Sequence, residues 1–75
     1  MANNNGKVHH IAFVTAKSYA HDGYHLVSFD IDEKNNESRY NLVHDNGNYL
    51  TIYTDSDKDM VIVKKNGKIN NIITY

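Results

Sequence analysis

The chain has 75 residues, no cysteine and a formal net charge of −1, with eight Lys and Arg against nine Asp and Glu. A chain of this length forms a single domain with a thin core, and the lack of cysteine excludes disulfide bonds that would reinforce it. The charge balance supports neither a strongly basic nucleic-acid-binding protein nor a strongly acidic mimic of nucleic acid.

The sequence lacks the two apolar segments that would indicate a membrane or secreted location. No apolar run approaches the ~20 residues that span a bilayer. Residues 1–7 also lack the apolar segment of a signal peptide. We therefore expect a cytoplasmic protein that does not associate with membranes. The seven Lys against one Arg are typical of A/T-rich codons and suggest a bacterial or phage origin.

Three turn signals that contain glycine divide the chain into hairpins. They are Asp22-Gly23, Asn46-Gly47 and Asn66-Gly67, and each is flanked by strand-forming residues. About six strands in chain order would then form an antiparallel meander, which we expect to curl into a small barrel or a twisted sandwich. We predict an all-β fold in which residues 1–6 are disordered and residues 7–75 form one domain.

The middle hairpin allows two registers. A two-residue loop would pair apolar residues with polar ones, whereas a three-residue loop over 45–47 sets Leu42 against Leu50 and Tyr40 against Ile52. The second register gives one clean apolar face. We therefore predict a three-residue loop with a glycine bulge, and the registers of the first and third hairpins stay open.

The first strand, predicted over about 8–20, has a helical alternative. Ala12, Ala16 and Ala20 fall at helical spacing, which would place a short helix within residues 11–20. The β-branched residues of the same segment weigh against a helix, since their side chains lose rotamer freedom there. We expect the strand and keep the short N-terminal helix as the alternative.

The chain lacks the residue patterns of common catalytic and metal sites. It has no cysteine nucleophile, no Gly-x-Ser-x-Gly turn and no glycine-rich phosphate loop. Carboxylates alternate over 55–59 as at the start of a calcium loop, but Met60 and Asn66 stand where Gly and Glu are needed. His21 and His25 are separated by a turn and lose the spacing of a metal pair. We predict no enzymatic activity, no metal and no cofactor.

The tyrosines carry the strongest indication of a function. The favoured register directs Tyr49 and Tyr53 away from the apolar face, near Arg39 and His44, while three lysines gather at the third hairpin. Exposed Tyr, Arg and His suit a protein-binding hot spot and also a stacking platform for single-stranded nucleic acid. The predicted partner-binding residues are Arg39, His44, Tyr49, Tyr53, Lys64, Lys65 and Lys68.

We hypothesise a non-enzymatic module that binds a protein partner and occludes its surface, as an inhibitor from a phage or mobile element would. A small β-barrel that binds single-stranded RNA or DNA is the alternative, and the net charge disfavours it. A self-assembling structural subunit is a third. The C-terminal strand is strongly β-prone, so we expect a homodimer edge at Ile72, Ile73 and Tyr75.

Overall fold

The computed structural model describes residues 5–32, 34–35, 37–55, 57 and 60–74. One helix precedes five antiparallel strands, which lie side by side in chain order in a single open sheet. The elements are α1 (Asn5–His21), β1 (Tyr24–Asp32), β2 (Glu37–His44), β3 (Tyr49–Asp55), β4 (Met60–Lys65) and β5 (Lys68–Thr74).

The predicted antiparallel meander is confirmed, but its closure and its first strand are wrong. Among the described strands, β1 and β5 each pair with one neighbour only, so these strands form an open sheet and neither a barrel nor a sandwich. The segment predicted as the first strand lies within α1, and the strand count falls to five. Residues 1–4 of the segment predicted to be disordered lie outside the described residues, and the helix begins at Asn5.

The helix forms because small and medium apolar residues recur on one of its sides. The larger Phe13 and Val14 fall off this stripe and are 52% and 47% exposed. Thr15 is compatible with the helix because its hydroxyl donates to the carbonyl oxygen of Ile11 at 2.7 Å. The stripe that meets the sheet is Val8, Ile11, Ala12, Thr15, Ala16 and Tyr19.

The Asp22-Gly23 signal marks the end of the helix and not a hairpin. The N–H of Asp22 donates to the carbonyl oxygen of Tyr19 at 2.9 Å, which closes the last turn. Gly23 has φ of +99°, a left-handed conformation that commonly terminates a helix. The turn prediction is therefore correct, although the element before it is α1.

The core lies between α1 and one face of the sheet, which we call the helix face; the opposite side is the free face. Successive residues of a strand alternate between the two faces. Ala12 and Ala16 lie at the contact, and their small side chains let the helix approach the sheet closely. The buried sheet residues of this core are Tyr40, Leu42, Leu50, Ile52, Val61 and Val63.

Two tight turns set the registers of the central and last hairpins. The predicted pairs Leu42–Leu50 and Tyr40–Ile52 are both present, so the three-residue loop is confirmed. At the third hairpin, Asn66 and Gly67 have φ of +53° and +85°. Two successive positive φ values define the type I′ turn, whose twist matches that of the strands it joins.

Each edge strand carries one β-bulge. In β1, Leu26 pairs with Leu42 and Ser28 with Asn41, so Val27 is the extra residue. In β5, the extra residue is Asn70. A bulge changes which side chains share a face, because it interrupts the two-residue alternation.

A single helix is too narrow to cover this sheet. Five strands spaced by about 4.8 Å span roughly 19 Å, whereas a helix with its side chains is about 10–12 Å across. The side chains at the β1 flank of the helix face are accordingly exposed, namely Leu26 at 49%, Phe29 at 61% and Ile31 at 46%. Among the described residues, no helix is both long and apolar enough to cross a membrane.

Candidate interaction surface

The free face has a row of side chains that crosses all five strands. Strand pairing aligns Asp30 with Arg39, Arg39 with Tyr53, Tyr53 with Ile62, and Ile62 with Ile72. We call these five residues the central row. Its composition runs from acidic at β1, through basic and aromatic in the middle, to aliphatic at β5.

Two cations flank the ring of Tyr53. The guanidinium carbon of Arg39 and the ammonium nitrogen of Lys64 each lie 5.7 Å from the ring centroid. At this separation a cation is attracted by the negative face of the ring, by about 0.5–1 kcal/mol at an exposed site. The two cations therefore help to fix the orientation of Tyr53 and bring two hydrogen-bond donors beside it.

Within the aliphatic end of the central row, Ile62 is buried without any contribution from the helix. Ile62 is only 8% exposed, although it lies on the free face opposite α1. Its cross-strand neighbours are Tyr53 and Ile72, and side chains directly opposite each other on one face are in contact distance. Ile72 and Ile69 on the same side remain 46% and 60% exposed, so an apolar surface adjoins the Tyr53 ring.

A second row on the free face is hydrogen-bonded across three strands. The amide of Asn41 donates to the Ser28 hydroxyl at 3.1 Å, and the Thr51 hydroxyl donates to the amide oxygen of Asn41 at 3.1 Å. These contacts link β1, β2 and β3 beside the central row. They fix the side chains of this second row relative to one another across the three strands.

Carboxylates gather at one end of the free face. They line a cleft of about 410 Å³ together with Arg39 and Tyr53. No group of three or more metal-ligating side chains arises there or elsewhere in the described part of the chain. The acidic side chains of the cleft are Asp30, Asp32, Glu37, Asp55 and Asp57.

One carboxylate of the cleft organises the turn between β1 and β2. Asp32 accepts hydrogen bonds from the side chain of Asn35 at 2.7 Å and from the backbone N–H groups of Lys34 and Asn35. The side-chain bond from Asn35, followed by the backbone bonds, lowers the pKa of Asp32 below its ordinary value. The charged form is thus the one that the turn binds.

The residues predicted to bind a partner divide into a cluster and several separate positions. Arg39, Tyr53 and Lys64 are together on the free face. Tyr49 shares that face but lies at the other end of β3, where its hydroxyl is close to Gly67. The lysines Lys65 and Lys68 pair with each other at the tip of the third hairpin.

His44 is not beside the tyrosines of the free face, and this part of the prediction is wrong. It has the same strand parity as Leu42 and therefore belongs to the helix face. Its ring packs edge-on against Tyr24, with centroids 4.9 Å apart, and lies against Gly23. The N–H of Asn46 donates to its Nδ1 atom at 3.1 Å, so His44 supports two turns.

The predicted dimer edge falls on a true edge strand. Ile72 and Ile73 both lie in β5, on the free face and the helix face respectively, while Tyr75 lies outside the described residues. Sequence reasoning missed the other edge, β1, whose exposed apolar side chains lie on the helix face. Phe29 there stacks on Tyr40 with centroids 6.2 Å apart, and burial raises the pKa of Tyr40.

The surface features of the domain are thus a cation-flanked tyrosine with an apolar neighbourhood, an acidic cleft beside it, and two exposed strand edges. We call Arg39, Tyr53, Lys64, Ile62 and Ile72 the Tyr53 cluster. It combines aromatic, basic and aliphatic groups, whereas the cleft is acidic and polar. Comparison of the chain with protein-family models, with curated proteins and with solved structures found no match in any of the three.

Proposed function

We propose that this domain is a non-enzymatic module that binds a protein partner through the free face of its sheet and acts by occluding the partner's surface. The observation that carries the proposal is the Tyr53 ring, flanked by Arg39 and Lys64 at 5.7 Å each. Tyr and Arg dominate the energetics of protein interfaces when apolar residues surround them and exclude water. Ile62 and Ile72 provide those surroundings.

The architecture of the free face favours a rigid, preformed contact. Tyr53 is held by cross-strand neighbours, and the adjacent hydrogen-bonded row of Ser28, Asn41 and Thr51 ties three strands together. A surface that is already ordered loses little conformational entropy on binding. A partner suited to it would present an apolar patch to Ile72 and carboxylates to Arg39 and Lys64.

The acidic cleft favours a protein over a nucleic acid as the partner. Five carboxylates border the same face that carries the Tyr53 cluster, and a phosphate backbone crossing this face would meet them. Binding to nucleic acid depends on neutralising phosphates with Lys and Arg. The formal net charge of −1 offers no general attraction to compensate.

The experiment compares capture by immobilised wild-type protein with capture by two free-face variants, Tyr53→Ala and Lys64→Glu. Lys17→Glu, on an exposed helix residue, is the charge-matched control. We expect one stoichiometric protein to be retained by wild type and Lys17→Glu, with affinity for the Tyr53→Ala variant reduced about 30-fold, as for a hot spot of about 2 kcal/mol. Circular dichroism checks that each variant is folded.

Two results would overturn the proposal. Equal retention of the partner by all variants would show that the free face is not the binding surface. Salt-sensitive binding of a labelled oligothymidylate, lost on Tyr53→Ala, would identify a single-stranded nucleic-acid platform instead.

A further inference from the structure

We infer that β1 is the interface of a symmetric homodimer, in which the β1 strands of two copies pair antiparallel and continue the sheet. This inference concerns a surface separate from the Tyr53 cluster and does not rest on the proposed function. The starting observation is that β1, a strand of nine residues, is an edge of the sheet and pairs only with β2 among the described residues. Such an edge presents free N–H and C=O groups to a further strand.

The flank beside this edge is unusually apolar for an exposed surface. Leu26, Phe29 and Ile31 are exposed by 49%, 61% and 46% on the helix face. Contiguous apolar surface of this kind marks an interaction site.

The bulge at Val27 determines which residues of β1 share a face. Before the bulge, Tyr24 and Leu26 lie on the helix face, as shown by their partners His44 and Leu42. After the bulge, Phe29 and Ile31 lie on that same face. Residues three apart, Leu26 and Phe29, are therefore equivalent in orientation, whereas in a regular strand they would point to opposite sides.

This arrangement makes the strand complementary to itself. In a two-fold antiparallel pairing centred on the bulge, Leu26 lies opposite Phe29 of the second copy, and Tyr24 lies opposite its Ile31. Both pairs are apolar and both lie on the helix face. Without the bulge, Leu26 and Phe29 would point to opposite faces, and a two-fold pairing that continues the sheet could not set them against each other.

The polar side chains of the free face are compatible with the same register. His25, which contacts Asp45 at 3.2 Å within one copy, lies opposite Asp30 of the second copy, so a ring nitrogen faces a second carboxylate and the symmetry repeats the contact.

The other edge strand is less complementary to itself. The corresponding pairing of β5 would set Ile69 against Ile72 on the free face, but it would also set Lys68 against Ile73 on the helix face, and no carboxylate lies on β5 to meet this lysine. Lysines at an edge discourage further pairing, so a second copy is favoured at β1.

The dimer would leave the free face accessible. Because antiparallel pairing continues a sheet without inverting it, the Tyr53 clusters of both copies would lie on the same side of a ten-stranded sheet. A partner with repeated sites could then bind both clusters at once.

The first test is the mass of the full chain in solution, measured by sedimentation equilibrium. We expect the wild type to have twice the 8.6 kDa of one chain. Phe29→Lys should shift the protein to monomer, with dimerisation weakened roughly tenfold or more, because it places a charge in the apolar pairs. Ile72→Lys on β5 is the matched control and should remain dimeric. Each side chain is already exposed in one copy, so both variants should fold.

The second test reads the register directly. The chain has no cysteine, so Leu26→Cys and Phe29→Cys introduce single thiols. We expect a mixture of the two variants to cross-link under mild oxidation faster than either variant alone, because unlike positions face each other across the two-fold axis.

A wild-type monomer at every concentration would overturn the inference. So would a dimer that dissociates with Ile72→Lys and persists with Phe29→Lys, which would place the contact on β5. Faster cross-linking of each single variant with itself would exclude this register.

Discussion

The two faces of the sheet shield their apolar side chains from water in different ways. On the helix face, α1 covers Leu42, Leu50 and Ile52 to 1% exposure or less. On the free face, no helix or strand of the described residues lies above the sheet, yet Ile62 reaches 8% exposure because Tyr53 and Ile72 flank it. The helix face is closed by another element, and the free face is closed only by its own long side chains.

The difference shows that burial on the free face depends on side chains that can also serve as contacts. Arg39 and Lys64 lie over Tyr53 through their flexible stems, and long basic side chains commonly cover apolar surface in this way. The helix face has no such freedom, since packed interiors lose stability when even a methylene group is removed. One face is therefore suited to stability and the other to binding.

The largest expected contrast between the faces is in the stability lost when a buried isoleucine is shortened to alanine. Ile52→Ala should reduce the free energy of unfolding by about 3 kcal/mol, because it leaves a cavity beneath the helix that cannot collapse fully. Ile62→Ala removes the same atoms on the free face and should cost about half as much, since its site can relax and admit water. Urea denaturation of both variants measures the two losses, and equal losses would contradict the distinction.

A smaller contrast concerns two threonines of β3. The Thr54 hydroxyl, on the helix face, accepts the buried N–H of Ser38 at 2.9 Å, so Thr54→Val should cost about 1–3 kcal/mol by leaving that donor unpaired. Thr51 on the free face donates to Asn41 at 3.1 Å and is only half-buried. Thr51→Val should cost roughly 0.5–1 kcal/mol. Thermal unfolding of both variants measures the two losses of stability. A larger loss for Thr51→Val than for Thr54→Val would contradict the greater contribution of the buried hydrogen bond.

The smallest effect is expected at Asp32, at the end of the sheet. The hydrogen bonds from Asn35 and Lys34 lower its pKa in the folded protein. The stability it adds is therefore fully present above the carboxyl's ordinary pKa and disappears as the pH falls through the lowered value. Asp32→Asn should destabilise the domain at neutral pH and much less in acid. Asp57→Asn, which removes another carboxylate of the cleft, is the control for the loss of one negative charge. If both variants lost stability with the same dependence on pH, the hydrogen bonds of Asp32 in the turn would not account for the effect.

The sequence predicted the central hairpin and the middle of the central row. The three-residue loop was recognisable because only that register aligns Leu42 with Leu50. The same register places Arg39 beside Tyr53. Local alternation and turn chemistry were sufficient there, since both partners are close in the chain. The same parity also places His44 on the helix face, a consequence that the prediction overlooked.

The helix was mistaken for a strand because its β-branched residues weighed against a helix and the centre of its buried side consists of two alanines. Ala12 and Ala16 carry the contact, whereas the conspicuous Phe13 and Val14 remain exposed. A pattern that gives most weight to large apolar residues therefore does not show the helical period of about 3.6 residues. The recurrence of Val8, Ile11, Ala12, Thr15, Ala16 and Tyr19 was the available signal.

The edges could not be derived from the sequence for a different reason. Val27 stands in an ordinary strand-forming segment, and its bulge arises only when β1 is paired with β2. The number of edges likewise depends on whether the sheet closes, which is decided by the whole set of strands and by the helix that lies on one side. Both properties are tertiary and leave no local pattern.

The order of the strands also affects how the molecule can be made. Each strand pairs with the strand that immediately precedes or follows it in the chain, so the sheet can grow one hairpin at a time as the polypeptide emerges from the ribosome. The helix is synthesised before the strands on which Val8, Ala12 and Ala16 pack. A helix of 17 residues takes most of its stability in a protein from packing and not from its own hydrogen bonds. The helix is therefore secured only after the strands that follow it in the chain.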